Sequence, residues 1–394
     1  MRIDLFKMER TQCLFENEVE YNLSESGVLP VRIEEVLGGA EDAAKFLSLG
    51  LKYAYSNGSP ELRQNIATWY PGATADHVTV TNGGSEANYI SVWGLLEKTD
   101  RAAVMLPNYM QTWGLARAYA GRADAFWLKP RRENGKMRWG LDLEGLRRAV
   151  SKKTKLITVC NPNNPTGAVL TEEEMDEIVA VARKANAWLL VDEIYRGAEA
   201  GGPLTPTFWG RFDKLLITSG LSKAFGMPGL RLGWIVGPPK MIAKVCSYHD
   251  YTTLSPSTVS EHLARIVMEP MRREKILQRT RAIIRKQLPA LERWIHTHDD
   301  IFTYIPPVAA AIAYVGYKLP IKSEALMTKL IQERSVLITP GEHFAMGKYI
   351  RIGYGYDIEH TLRGLARVDL TLEELQKKAA PRQMRVAATR SGAA

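Results

Sequence analysis

Cysteine is scarce: Cys13, Cys160 and Cys246 are the only three in 394 residues, and they lie far apart. That count excludes a disulfide framework, offers no metal-type spacing, and points to a reducing compartment. Long hydrophobic runs are missing as well. Nowhere do about 18 uncharged apolar residues follow one another, so no transmembrane helix is expected. The start, MRIDLFKMERTQCLFENEVEY, carries charges throughout and lacks the apolar centre of a secretory signal, which makes the cytoplasm the expected location. There is no internal repeat or low-complexity linker. A single basic stripe is absent too. The net charge is +9, but the basic residues are spread along the chain without interleaved aromatics, and neither a helix-turn-helix nor a zinc-finger pattern occurs. Nucleic acid is therefore not the expected partner. A basic enzyme that handles anionic small molecules is.

What is present is ordinary globular composition, 45% apolar and 24% charged, over a length that suits two domains. Nearly continuous apolar runs recur at 77–81, 102–106, 155–160, 187–192, 214–219 and 232–237. Strands buried on both faces read this way. Helical patterns at 85–98 and 171–186 alternate with them, the second opening on Thr171 with Glu174 three residues on, a capping-box spacing. The fold class is α/β, with a mostly parallel sheet sandwiched by helices. Beyond about residue 270 a long basic amphipathic helix, short strands and a helix from about 357 make a smaller α+β unit. The expected division is an N-terminal segment over 1–40, a large domain over 41–270, a small domain over 271–378 and a mobile tail over 379–394.

In such sheets ligands bind beyond the carboxyl ends of the strands. After the first run comes NGGSEAN, in which Gly83, Gly84 and Ser85 open a helix. It is either an anion seat built from free amides or a plain turn. Tyr109 follows the second run, as a ring to stack on a flat ligand or as an ordinary packed tyrosine. The third run ends in NPNNPTG, a rigid turn whose Asn164 can also bond a ligand oxygen. Asp192 ends the fourth run, where a buried carboxylate requires a partner or serves as a cap. Tyr195 follows three residues later. The fifth run leads into Ser222, Lys223 and then Arg231. Burial of Lys223 would lower its pKa and make the amine nucleophilic; a solvated lysine is the alternative. Taken together, the loops supply an anion seat, an aromatic face, an amide, a carboxylate, a phenol, a lysine and an arginine. Pyridoxal phosphate uses every one of them.

At these residues the chain resembles the class I/II aminotransferases, the fold-type I pyridoxal-phosphate enzymes. GLSKAFGMPGLRLG, Gly220 to Gly233, fits that family's lysine signature, and NPNNPTG, DEIY and KYAYSNGSPELR occur in the family's order. The likeness spans about residues 20–370 and implies a large-domain sheet of the seven-stranded type. It implies an L-amino acid and a 2-oxo acid as substrates, and a Schiff base between the cofactor and Lys223, which then moves the substrate α-proton. It implies that Asp192 holds the ring nitrogen protonated, that Asn164 and Tyr195 bond the phenolic oxygen, and that Tyr109 stacks on the ring. The phosphate would rest on Gly83, Gly84 and Ser85 beside Ser222 and Arg231. Tyr53 would reach the phosphate of a partner subunit, which implies a homodimer. Arg351, in YIRIGYG, would clamp the substrate carboxylate, or else is a buried structural arginine.

Two departures stand out. Many members carry serine or threonine three residues before the lysine, where this chain has Gly220. The N-terminal segment usually reads near L-x-x-G-x-P, whereas YNLSESGVLP places Ser26 at the glycine's position and Gly27 one later. That version resembles the start of capreomycidine synthase, a family member that acts on an arginine derivative. An acidic cluster, Glu16, Glu18, Glu20 and Glu25, surrounds it. Either it is a solvated surface, or Glu25 or Glu18 reads a cationic substrate side chain. Transamination is the first expectation. The alternative is a lyase, cyclase or oxidase of an arginine-like amino acid on the same cofactor.

Overall fold

A computed structural model describes the backbone of residues 3–390 and side chains as far as residue 377. The expected tail, 379–394, lies outside the described residues in its side chains and its last four positions. The larger sheet has eight strands where seven were expected: β1 (Val78–Thr81), β2 (Arg101–Leu106), β3 (Arg122–Glu133), β4 (Lys136–Leu141), β5 (Thr154–Cys160), β6 (Trp188–Asp192), β7 (Leu215–Gly220) and β8 (Gly233–Val236), the edge hairpin of β3 and β4 supplying the extra one. Across the sheet they run β1-β8-β7-β6-β5-β2-β3-β4. Strands β3, β2, β5, β6 and β7 pair in parallel. Strand β8 is antiparallel to both its neighbours, and β4 to β3.

The mostly parallel α/β sheet is thus present, and its apolar runs have a simple cause. Alternate residues of one strand face opposite cores. Leu189, Val191 and Ile217 belong to one core, while Leu156, Leu190 and Leu216 belong to the other. With both faces covered, polar side chains are excluded from the strand centres and collect at the ends.

The hairpin of β3 and β4 has no counterpart among the apolar runs. Its stretch PRRENGKMR is polar because it sits at the sheet edge. Its signal is Asn134-Gly135, both at positive φ (49° and 77°), the turn that suits the twist of a two-residue hairpin.

Five helices matter for the site: α1 (Lys7–Phe15), α2 (Gly83–Leu95), α3 (Glu172–Ala185), α4 (Pro270–His296) and α5 (Ile358–Arg390). Helix α3 opens on the expected capping box, with Glu174 N donating to Thr171 Oγ1 at 3.2 Å and Thr171 N to the Glu174 carboxylate at 3.0 Å. Helix α4 buries Leu277, Ile284, Leu291 and Ile295, one stripe of a long basic helix.

A smaller antiparallel sheet holds β9 (Phe302–Tyr304), β10 (Ile312–Tyr317), β11 (Thr339–Pro340) and β12 (Tyr349–Gly353), in the order β9-β10-β12-β11. The N-terminal segment is bound to this side of the molecule. Tyr21–Asn22 lies parallel to Val336–Leu337, and Val28 bridges Gly355. Residues 24–27 are thereby carried between the two sheets. Among the described residues no helix is long and apolar enough to cross a membrane.

Candidate active site

Strands β5, β6 and β7 end in register, with Cys160 beside Asp192 and Asp192 beside Thr218. Asp192 is the polar terminus of an apolar strand and is only 9% exposed. Its two oxygens accept from Asn88 Nδ2 and from the amide of Ile194, each at 3.0 Å. Asn88 is itself oriented by Thr218, whose hydroxyl donates to Asn88 Oδ1 at 2.7 Å. No cation opposes the carboxylate among the described residues, and burial pushes its pKa upward. The Tyr195 hydroxyl nearby is buried, with the Ser26 side chain beside it.

Helix α2 supplies the second feature. Its first residues, Gly83 at φ 81°, Gly84 and Ser85, present backbone amides that the helix leaves unpaired. Arg231 turns over them from the loop before β8: a Cβ on Gly83 would lie 2.8 Å from Arg231 Nη2. Arg231 also donates to Ser222 Oγ at 3.4 Å and to the Pro228 carbonyl at 2.9 Å. Gly233 lets β8 come up behind this cup, since a Cβ there would sit 2.5 Å from the Gly83 carbonyl carbon and 2.6 Å from the Gly84 nitrogen. The same crowding accounts for Gly220. A Cβ at that position would meet the Leu232 carbonyl at 2.8 Å, so a hydroxyl-bearing side chain has no room.

Lys223 lies between these features. Its Nζ donates to Glu25 Oε1 at 3.1 Å, and the same oxygen accepts from the amides of Ser26 and Gly27 at 3.0 and 3.1 Å. The lysine's charge, with those amides, outweighs burial and holds the Glu25 carboxyl down at about 2. The lowered pKa expected for Lys223 is not what the structure has. Burial is the largest single influence and pulls it down, but the charge and hydrogen bond of Glu25 together with Tyr195 outweigh it, and the amine sits above its ordinary value.

These groups line one cavity of about 250 Å³. Of the sequence-predicted residues, Glu25, Ser26, Gly84, Ser85, Tyr109, Asn164, Asp192, Tyr195, Ser222, Lys223 and Arg231 face it. Gly83 lies under Arg231 at its rim, and Gly27 packs against the Lys223 stem. Arg351 does not line the cavity. It is fully buried in β12 and donates to Asn164 Oδ1 at 2.9 Å, the Ser24 carbonyl at 2.5 Å and Thr339 Oγ1 at 3.2 Å. Glu18 is exposed and outside the cavity. Tyr53 is also outside it, 82% exposed.

Residues given no site role in the sequence reading also line it: Met8, Glu9 and Gln12 of α1, Asn88, Cys160, Ile194 and Pro228, joined by Glu16 of the acidic cluster, just after α1. Glu9 accepts from the Tyr109 hydroxyl at 2.8 Å. The available signal was spacing, because positions 9, 12 and 16 fall on one helical face.

The chemistry of the donor set fits pyridoxal phosphate. Asp192 is a buried carboxylate lacking a cation, as a protonated ring nitrogen requires. The buried Tyr195 phenol lines the same cavity and offers a donor to a ring oxygen. The amide cup with Arg231 suits a phosphate. Fold and site together define a fold-type I pyridoxal-phosphate enzyme. Residues 31–368 match the family model "Aminotransferase class I and II", and the chain belongs to that family. It is a pyridoxal-phosphate-dependent aminotransferase. It is 28% identical to capreomycidine synthase of Streptomyces vinaceus over 313 residues, 79% of each chain. It is 27% identical to an aspartate aminotransferase of Streptomyces avermitilis over 340 residues, 82% of each chain. A crystal structure of a PLP-dependent aminotransferase from Streptococcus suis superimposes with a TM-score of 0.86 at 27% identity, covering 95% of this chain and 99% of that one.

The close approach at Gly233 yields a prediction. Gly233→Ala should weaken cofactor binding by about tenfold or more, roughly 1.4 kcal/mol, in a fluorescence titration of the cofactor-free protein. Unchanged affinity would show that the β8 backbone does not shape the cup.

Proposed function

We propose that this aminotransferase takes an L-amino acid with a cationic side chain and passes its amino group to a 2-oxo acid. The observation that carries the reading is Glu16. Its carboxylate faces the cavity with no ion-pair or hydrogen-bond partner among the described residues. Burial, then Glu25 and Glu9, raise its pKa. Once the cofactor occupies Lys223 and its phosphate faces Arg231, Glu9, Glu16 and Glu25 look into the cavity without a cation. A guanidinium or ammonium on the substrate would answer them.

The chain's own groups would divide the work as follows. Bound pyridoxal phosphate supplies an electron-withdrawing ring that stabilises negative charge at the substrate α-carbon. Asp192, fixed by Asn88, would keep a proton on the ring nitrogen. Tyr195 and Asn164 would bond the ring oxygen, and Tyr109 would cover the ring face. Gly84, Ser85, Ser222 and Arg231 would hold the phosphate. Lys223 would move the proton at the α-carbon. Arg351 would take the substrate carboxylate beside Asn164. Met8 Sδ now rests 3.8 Å from Arg351 Nη1, so the carboxylate would take its place. Helix α1 would close over the bound substrate and exclude water.

The test is a stopped-flow screen of single amino acids without any oxo acid. Arginine, ornithine and lysine should convert the cofactor to its amine form about tenfold faster than alanine or aspartate, and Glu16→Gln should erase the preference. Equal rates in the unaltered protein would sink the reading. The likeness to capreomycidine synthase supports a second reading, in which a cationic amino acid is eliminated, cyclised or oxidised. Turnover with release of ammonia in the same screen would favour it.

We also propose a cytoplasmic homodimer. Free Cys13, Cys160 and Cys246 suit a reducing compartment. Leu47, Leu51, Tyr53, Tyr251 and Met271 are each more than four-fifths exposed, and a subunit contact would cover such side chains. Tyr53 would then reach the partner's phosphate. Light scattering should give a mass near twice 44.1 kDa; a single-chain mass would contradict it.

A further inference from the structure

Glu25 is built to hold Lys223. Its Oε1 takes two backbone amides and the lysine, so one conformation of the carboxylate is held by the chain itself. The turn is pinned from behind. Val28 bridges Gly355, and a Cβ on Gly353 would overlap the Glu25 carbonyl. Gly27 admits the lysine stem, since a Cβ there would lie 3.9 Å from Lys223 Cδ and 3.4 Å from Glu25 Oε1. The other groups facing Lys223 are Tyr195 after β6, Glu16 after α1, Arg351 of β12 and Tyr356 before α5. Of these four, only Arg351 opposes a positive charge on the lysine.

An ammonium has no lone pair with which to attack an aldehyde. Capture of pyridoxal phosphate requires the free amine. The lysine proton leaves to solvent, a C=N bond forms, and the aldehyde oxygen departs as water. We propose that Glu25 gates cofactor loading: it stores Lys223 as an ammonium, and this ion pair must break before the lysine can take the cofactor. The inference rests on Lys223 being the lysine that carries the cofactor. Glu25 here is a positioning residue that acts through Lys223.

The sign follows from the charges. Glu25 raises the lysine pKa above its ordinary value, so the free-amine fraction near neutral pH is small and grows with pH. Removing the negative charge lowers that pKa and enlarges the amine fraction. Glu25→Gln removes the charge, while its amide oxygen still accepts from Ser26 and Gly27, so the turn is kept.

The experiment mixes full-length, cofactor-stripped protein with pyridoxal phosphate and follows the visible chromophore from about pH 6 to about pH 10, the range below the ordinary lysine value. Near pH 7, Glu25→Gln should load severalfold faster, since more of the lysine is then the free amine, and the gap should narrow at the alkaline end. Near-ultraviolet circular dichroism of the stripped proteins checks that the fold is kept. Profiles that superimpose overturn the gate, as does slower loading in Glu25→Gln. Lys223→Ala, run alongside, must form no such chromophore. If it does, the assignment of Lys223 fails, which is a different result from failure of the gate.

Discussion

A carboxylate at the end of a doubly covered strand is costly unless something answers its charge. Asp192 is in that position. Two hydrogen bonds orient it and, among the described residues, no cation meets it. The sheet creates the problem, because its strands are apolar on both faces and polar groups are confined to their ends. Helix α2 addresses it in part through Asn88. The same helix begins with the amide cup of Gly83, Gly84 and Ser85. One rigid element therefore sets both the ring end and the phosphate end of the ligand site. Gly233 fixes where that element begins by letting β8 approach its first turn.

Much of this was legible in the sequence, for a physical reason. Strands buried on both faces advertise themselves as unbroken apolar runs, and the residues that follow them face the ligand. Asp192, Asn164 and Lys223 could be placed that way before any coordinates. The edge hairpin could not be found by the same rule, because edge strands carry charges; Asn134-Gly135 was its one local sign. The state of Lys223 was also out of reach. Its loop predicts burial, but its charge is set by Glu25, 198 residues earlier in the chain. Gly220, which stands where many family members carry serine or threonine, is a steric requirement of the β7–β8 contact.

The N-terminal segment is where this chain is most individual. It is bound to the strand at Val336–Leu337 and to Gly355, and from there it presents α1 and the Glu25 turn to the cavity. Glu9, Gln12 and Glu16 lie on one helical face, so the acidic cluster read from the sequence is divided by geometry: part faces the site, and Glu18 faces solvent. A short helix of this kind can change the side chain that is accepted without disturbing the cofactor beneath it.

The most direct test of the central claim is to find the residue that carries the cofactor. The protein saturated with pyridoxal phosphate is reduced with borohydride, digested, and its peptides are weighed. The account predicts one pyridoxyl mass addition, on the peptide that contains Lys223. The addition on any other lysine, or none in a protein that binds the cofactor, would contradict it.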